Sequence, residues 1–237
     1  MLSSARILQI KEFVNSLNIT TSDFILFDEA LTHPSFNTEG HNNKGYDYER
    51  LEFLGDSVLR LFSGQYLYEK YSDYDEGRLT KIRSCIVSDK FLAIVAEKLE
   101  YYKYIDMGIG EEKDKGRKKE SILACTFEAV LGAIYLSEGF QKAKDFIYKI
   151  YSDFDIEKTM HYYNAKEILQ EYTQSINKDL PEYKVINESG PAHDKTFEVG
   201  VYYHEEEIGI GKGKTKKEAE QDAARHAIKT LNITNKF

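Results

Sequence analysis

The sequence predicts two domains of different fold class: an all-α domain at residues 1–153 and a smaller α+β domain at residues 161–233, joined by a linker at residues 154–160. Apolar residues recur at spacings of three and four through the first part, which is typical of amphipathic helices. In the second part, one stretch between two helical patterns alternates apolar and polar residues, which is the strand period. The protein is therefore expected to be mainly α, with one compact helix–sheet–helix unit after the helical domain.

Three stretches of the first domain carry the clearest helical periodicity. In each stretch the apolar residues are spaced to form one buried stripe of a helix. The stripes are Leu51, Leu54, Val58, Leu61 and Phe62; Phe91, Ile94, Val95 and Leu99; and Leu123, Phe127, Val130, Leu131 and Ile134. Residues 108–120 read GIGEEKDKGRKKE, and this charged segment is expected to be a mobile, solvated loop.

The second domain is predicted as a helix, three strands and a second helix. Its first helix has a narrow apolar stripe, its strands are short apolar or alternating runs, and its last helix is rich in alanine. The stripe is Ile168, Leu169, Tyr172 and Ile176; the strands are 183–187, 196–203 and 206–210; and the last helix buries Ala219, Ala223, Ala224, Ala227, Ile228 and Leu231.

Composition and charge exclude several broad classes of protein. Hydrophobic residues make up 41% of the 237 residues, which is enough for a core and too many for a disordered chain. The 32 basic and 40 acidic residues give a net charge of −8, which excludes a uniformly basic protein but permits a local basic patch.

We expect no secretory signal in residues 1–10 and no membrane-spanning run of about 20 apolar residues. Two cysteines are too few for a disulfide framework, which favours a reducing, cytoplasmic location.

An acidic cluster marks the first helix of interest. Glu49, Glu52 and Asp56 are spaced i, i+3 and i+7, so a helix stacks their carboxylates on one face. Like charges in this arrangement repel one another, and a divalent cation such as Mg²⁺, which prefers oxygen ligands, would compensate for the repulsion. The alternative is a plain solvated acidic face.

A lone acid on a second helix favours the metal-site interpretation. Glu128 is the only carboxylate between Ser121 and Tyr135, and Cys125 lies one turn before it on the same face. An isolated buried carboxylate is unfavourable, so Glu128 needs a partner. If this helix packs on the first, Glu128 points at Glu52 and Asp56, giving an oxygen site able to hold Mg²⁺ and polarise a water for attack on phosphorus.

These segments resemble those of bacterial-type ribonuclease III, a double-stranded-RNA-specific endoribonuclease, over essentially the whole chain. Residues 49–59, ERLEFLGDSVL, are similar to the family signature, and four supporting segments stand in family order: 30–36, 76–83, 119–124 and 127–136. The resemblance implies a homodimeric, Mg²⁺-dependent hydrolase, with Mn²⁺ as a second possible metal. It also implies products with 5′-phosphate and 3′-hydroxyl ends and short 3′ overhangs, from ribosomal RNA precursors and structured messenger RNA.

The resemblance also assigns roles to individual residues. It implies Glu52, Asp56 and Glu128 as metal ligands, Asp56, Glu128, Glu49 and Glu76 as catalytic residues, and Phe53 as the aromatic residue that inserts into the partner subunit.

Two residues depart from the family pattern. Tyr48 replaces a usual Asn, which is a minor change, and Cys125 replaces the usual Asp of the fourth metal ligand. Cys125 is a doubtful ligand, because a thiol binds Mg²⁺ poorly. The expected site has three protein oxygens, an extra water and weaker metal binding. Two alternatives stay open: a protein of this fold that binds duplex RNA without efficient cleavage, and a structural subunit of a ribonucleoprotein.

The second domain resembles a double-stranded-RNA-binding domain. Thr215 and Glu218 have capping-box spacing, which puts the start of the last helix beside a lysine cluster. Helix N-termini favour anions, so RNA phosphates are the expected ligand there. The polar face of the first helix, with Glu167, and the loop at 189–193 are expected to contact two minor grooves. The predicted RNA-binding residues are Gln170, Glu171, Gln174, His193, Lys214, Lys216 and Lys217, with Arg117 of the charged segment guiding RNA between the domains.

Overall fold

A computed structural model describes residues 2–39, 44–154, 156, 165–191 and 195–233, which belong to two compact units, Met1–Phe154 and Asp155–Phe237. The first unit is helical and the second has the order α-β-β-β-α, so the predicted fold class is confirmed. Most of the predicted linker at 154–160 lies outside the described residues, as do residues 161–164. The predicted domain boundaries therefore stay predictions.

The first unit consists of helices joined by short connections, including two 3₁₀ turns, Tyr101–Lys103 and Gly116–Lys118. In chain order the α-helices are α1 (Ser4–Ser16), α2 (Phe24–Ala30), α3 (Pro34–Glu39), α4 (Glu49–Lys70), α5 (Glu76–Ile86), α6 (Asp89–Lys98), α7 (Ile109–Lys113) and α8 (Glu120–Asp153). The three predicted apolar stripes lie on α4, α6 and α8, except that Leu99 is the C-cap residue that follows α6. Leu61 was predicted to be buried but is exposed, because the buried face of α4 runs through its neighbour Phe62.

Helices α4 and α8 form the centre of this unit and touch backbone to backbone. A Cβ atom at Gly55 would lie 1.8 Å from the carbonyl oxygen of Glu128, and one at Gly132 would lie 2.5 Å from that of Leu51. Only glycine fits at these two positions. The close approach sets Glu128 beside the acidic face of α4.

Helix α8 breaks at Gly139, whose φ of 84° and ψ of 179° are not helical. By length and composition alone α8 could cross a membrane, a property that the sequence prediction missed. However, 61% of its most apolar stretch is buried inside the unit, as is typical of the core helix of a folded domain. Phe127, Val130 and Ile134 are at most 1% exposed.

The prediction of a mobile loop at residues 108–120 was wrong. The segment forms α7 and the second 3₁₀ turn, and ion pairs hold it to itself and to its neighbours. Arg117 donates to the carbonyl oxygens of Tyr102 and Ile105 at 3.0 and 2.7 Å and pairs with Glu112 at 2.6 Å. Two lysines also form pairs, Lys118 with Glu97 and Lys119 with Glu111. The charges that suggested a solvated loop are used to order it.

The second unit is a three-stranded antiparallel sheet with two helices packed together against it. Its elements are α9 (Ala165–Asn177), β1 (Glu182–Ser189), β2 (Thr196–Tyr203), β3 (Glu206–Gly213) and α10 (Lys216–Thr230), and the strand order is β1-β2-β3. The core is made of small and aliphatic side chains, including Leu169, Val199, Val201 and Ala223. A Cβ at Gly211 would lie 2.0 Å from the backbone nitrogen of Ala223, so α10 packs directly on β3. Ile176, predicted in the buried stripe, is exposed in the last turn of α9.

Candidate functional site

An open acidic pocket of about 410 Å³ lies between α4 and α8. It is lined by Glu49, Glu52, Phe53, Asp56 and Glu128. Four of the carboxylates predicted from the sequence are therefore brought together. The first three come from one face of α4, and Glu128 comes from α8 through the close contact of the two helices at Gly55.

The position of the acidic residues on α4 suits the local structure. Helix α4 begins at Glu49, and its N-cap residue, Tyr48, makes no side-chain cap. Instead, the carboxylate of Asp47 accepts a hydrogen bond from the backbone nitrogen of Glu49 at 3.2 Å. Glu49 and Glu52 lie in the first turn, where the helix dipole favours negative charge. This reduces the repulsion within the cluster without neutralising it.

Glu128 experiences the strongest electrostatic effect in the pocket. Burial, followed by the negative charges of Asp56 and Glu52, raises its pKa from 4.5 to about 8. Arg60 opposes this shift. Without a bound cation, Glu128 therefore holds a proton for much of the time at neutral pH.

Arg60 forms an ion pair that the sequence prediction missed. Its Nε donates to both carboxylate oxygens of Asp56, at 2.8 and 2.9 Å. The Arg60 side chain is 61% exposed and that of Asp56 is 35% exposed. The signal was present in the sequence, since an acid followed by a base four residues later on a helix commonly forms such a pair.

Cys125 lies against the cluster as a neutral thiol. Burial, a hydrogen bond with Glu52 and the charges of Glu52 and Glu128 raise its pKa to about 12. A protonated thiol is a poor ligand for a hard cation. Cys125 is also absent from the pocket lining.

Glu76 is not brought to the pocket within this chain. It lies in the first turn of α5 and accepts a hydrogen bond from Thr80 at 2.8 Å. Helix α4 continues for fourteen residues beyond Asp56, about 20 Å at a rise of 1.5 Å per residue, before α5 begins. The catalytic role of Glu76 stays a prediction.

The chemistry of the pocket fits a hard divalent cation. Carboxylate oxygens are the ligands that Mg²⁺ prefers. The pKa of Glu128 is raised by burial first and then by the charges of Asp56 and Glu52, and a bound cation would offset those charges. Within the described ranges, no three His, Cys, Asp or Glu side chains already form a ready-made metal site. Binding of an ion would therefore require these carboxylates to turn toward it.

A basic cluster surrounds the start of α10 in the second unit. Thr215 accepts a hydrogen bond from the backbone nitrogen of Glu218 at 3.1 Å, and the Glu218 carboxylate accepts one from the backbone nitrogen of Thr215 at 3.3 Å. This is the capping box that the sequence predicts. Lys214, Lys216 and Lys217 are all exposed around this turn, and Lys216 lies 3.6 Å from Glu188.

The other predicted RNA-binding residues have different surroundings. Gln170, Glu171 and Gln174 are exposed on one face of α9, together with Glu167. His193 lies outside the described residues. The Arg117 side chain forms the hydrogen bonds to Glu112, Tyr102 and Ile105 that order its own segment. Its predicted role in guiding RNA stays a prediction.

Known proteins match both units. Residues 23–154 match the family model described as Ribonuclease-III-like, and residues 165–231 match the model described as Double-stranded RNA binding motif. The chain is 42% identical over 231 residues to Ribonuclease 3 of a Nitratiruptor species, and the match covers 96% of this chain and 99% of that protein. It is 43% identical over 236 residues to Ribonuclease 3 of Borreliella afzelii, covering 98% and 96%.

A solved structure resembles the first unit. The nuclease domain of ribonuclease III from Campylobacter jejuni is 40% identical in sequence and superposes with a TM-score of 0.56. The match covers 63% of this chain and 97% of that one, and that structure is described as flexible in a region involved in dimer formation.

Proposed function

Since the chain belongs to the ribonuclease III family and is a double-stranded-RNA-specific endoribonuclease that acts in RNA processing, we propose that the acidic pocket between α4 and α8 is its hydrolytic centre. The observation that supports this proposal is the convergence of Glu49, Glu52, Asp56 and Glu128 on one open pocket. An RNA backbone can reach such a pocket from solvent.

Glu52, Asp56 and Glu128 would hold Mg²⁺, as is typical of the family, or Mn²⁺. A bound ion would supply Lewis-acid activation of a water for attack on phosphorus. Asp56 and Glu128 line the pocket from two helices, where they would place the ion against the reacting phosphate. Glu49, and Glu76 from outside the pocket, shape the cleavage site. The products carry 5′-phosphate and 3′-hydroxyl ends.

Cys125 sets the strength of metal binding. With a neutral thiol at Cys125, three protein carboxylates would hold the ion and water would supply the remaining ligands. Such a site would bind metal more weakly than a site with four carboxylates. Mn²⁺ is expected to support activity at lower concentration than Mg²⁺, because Mg²⁺ loses its water ligands reluctantly and demands near-ideal octahedral geometry.

We also propose that the enzyme is a cytoplasmic homodimer. Phe53 is 79% exposed between two pocket carboxylates, and Leu61 and Tyr68 of the same helix are 54% and 76% exposed. A large apolar side chain in this position is unfavourable in water, and a second copy of the chain would cover it. Two pockets in one dimer would cut the two RNA strands at paired sites and leave short 3′ overhangs.

The second unit would hold the RNA duplex. Lys214, Lys216 and Lys217 meet phosphates across the major groove, while the α9 face with Gln170, Glu171 and Gln174 enters a minor groove, and His193 a neighbouring one. Recognition of this kind reads the A-form shape with little sequence preference. Ribosomal RNA precursors and structured messenger RNAs supply such duplexes.

Cleavage of long duplex RNA in Mg²⁺, Mn²⁺ or EDTA tests the proposed metal chemistry. We expect fragments with 5′-phosphate ends in both metals, none in EDTA, and none from single-stranded RNA. Cys125→Asp should lower the Mg²⁺ concentration that gives half-maximal rate, and the isosteric control Cys125→Ser should not. Equal cleavage in EDTA would contradict the proposal, as would products that carry 3′-phosphates.

A further inference from the structure

Arg60 lies one turn after Asp56 on α4 and binds its carboxylate. One guanidinium nitrogen reaches both oxygens, at 2.8 and 2.9 Å, so neither oxygen of Asp56 is left without this cation nearby. The guanidinium also acts on the second helix, because its charge lowers the pKa of Glu128 while burial and two carboxylates raise it.

The pair has the geometry of an ordinary exposed ion pair on a helix. Lys149 and Asp153 on α8 have the same i, i+4 spacing, at 2.9 Å, with side chains 61% and 48% exposed. Such pairs contribute little to stability. What distinguishes Arg60 is its acceptor, since Asp56 lines the pocket and faces Glu128.

We propose that Arg60 is a resident counter-ion of the acidic pocket that occupies Asp56 in the metal-free protein and competes with the divalent cation for that carboxylate. This inference rests on the proposed function, since it takes the pocket to be the metal site. The Arg60 side chain is mostly in solvent, so it can release Asp56 without any repacking of the core. Arg60 thereby raises the metal concentration at which the enzyme becomes loaded, in addition to the effect of Cys125.

Competition of this kind has a measurable signature without RNA or turnover. A metal ion that must first break an ion pair binds more weakly by the free energy of that pair. Removal of the Arg60 guanidinium should therefore improve metal binding about two- to fivefold, which corresponds to the free energy that an exposed ion pair commonly contributes. Removal should also lower the stability of the metal-free protein slightly, because the cluster loses its counter-ion. With saturating metal this stability difference should vanish.

Calorimetric titration of Mg²⁺, and separately Mn²⁺, into the metal-free full-length chain tests this inference. Arg60→Gln should bind each metal more tightly than the unaltered chain, and Arg60→Lys, which keeps the charge on a different head group, should fall between them. Lys149→Gln is the matched control and should bind metal as the unaltered chain does. Thermal unfolding of each variant with and without metal gives the second readout.

The outcomes separate this inference from the proposal on which it rests. Metal binding that is equal or weaker in Arg60→Gln, while the unaltered chain binds metal, would overturn the competition and leave the proposed metal site standing. No binding to the unaltered chain at any tested concentration would overturn both. Tighter binding in Lys149→Gln as well would assign the effect to net charge and contradict a specific role for Arg60.

Discussion

Glu128 is placed at the α4–α8 contact by backbone packing, and its electrostatics follow from that position. The close contact at Gly55 fixes it beside Asp56 and Glu52, and burial together with these charges raises its pKa to about 8. A carboxyl in this position opposes folding when it is ionised. Metal binding requires Glu128 to be ionised, whereas the metal-free fold is more stable when Glu128 is protonated.

Glu128→Gln should stabilise the metal-free protein in a way that depends on pH. An acid whose pKa is higher in the folded state binds more protons when folded, so its contribution to stability falls as pH rises from about 4.5 to about 8. Gln carries no charge and avoids this loss. In EDTA, the gain in melting temperature over the unaltered chain should be small near pH 5, grow toward pH 8 and then level off. A gain that is constant across this range would contradict the electrostatic explanation.

At the scale of elements, helix and strand positions follow from periodicity and capping chemistry. Strand β2 occupies the predicted residues 196–203, and the Thr215–Glu218 capping box starts α10 beside the lysine cluster. Helix α7 could not be predicted, because its order depends on which charges pair in three dimensions. Ile176 was predicted to be buried but is exposed at the end of its stripe. The spacing of apolar residues cannot show where the neighbouring element that covers a helix ends.

The start of α10 should account for much of the salt-dependent RNA affinity. A variant with Lys214, Lys216 and Lys217 all changed to Gln should bind duplex RNA more weakly, and the slope of log affinity against log salt should fall by about 1 for each lost phosphate contact. Lys229→Gln, at the other end of the same helix, is the control and should keep the slope. Filter binding in EDTA at several salt concentrations measures both. An unchanged slope in the triple variant would place the phosphate contacts elsewhere.

At the scale of the whole molecule, the sequence predicted the fold class and which carboxylates meet, while the local ion pairs had to be seen in the structure. Glu128 could be assigned to the cluster because a lone acid in an apolar helix needs partners. Arg60 was missed even though its spacing was visible, since many i, i+4 pairs form without functional consequence. The proposed homodimer rests on Phe53, which is 79% exposed beside the pocket.

Phe53→Ala should weaken the homodimer. Buried aromatic side chains at the centre of an interface commonly contribute more than about 1.4 kcal/mol, so the dimer dissociation constant should rise at least about tenfold. Leu8→Ala is the control, because Leu8 is also an exposed apolar residue, 65% accessible, on a different helix. Sedimentation equilibrium of the full-length chain distinguishes the two. A chain that is monomeric before substitution would contradict the proposed dimer.

The central claim, that the pocket between α4 and α8 hydrolyses duplex RNA, is tested most directly by Asp56→Asn. The change keeps the size of the side chain and removes the charge that pairs with Arg60 and faces Glu128. Cleavage of long duplex RNA in Mg²⁺ should be lost, while binding of the same RNA in EDTA stays equal to that of the unaltered chain. Cleavage by Asp56→Asn at the unaltered rate would contradict the claim and move the hydrolytic centre away from this pocket.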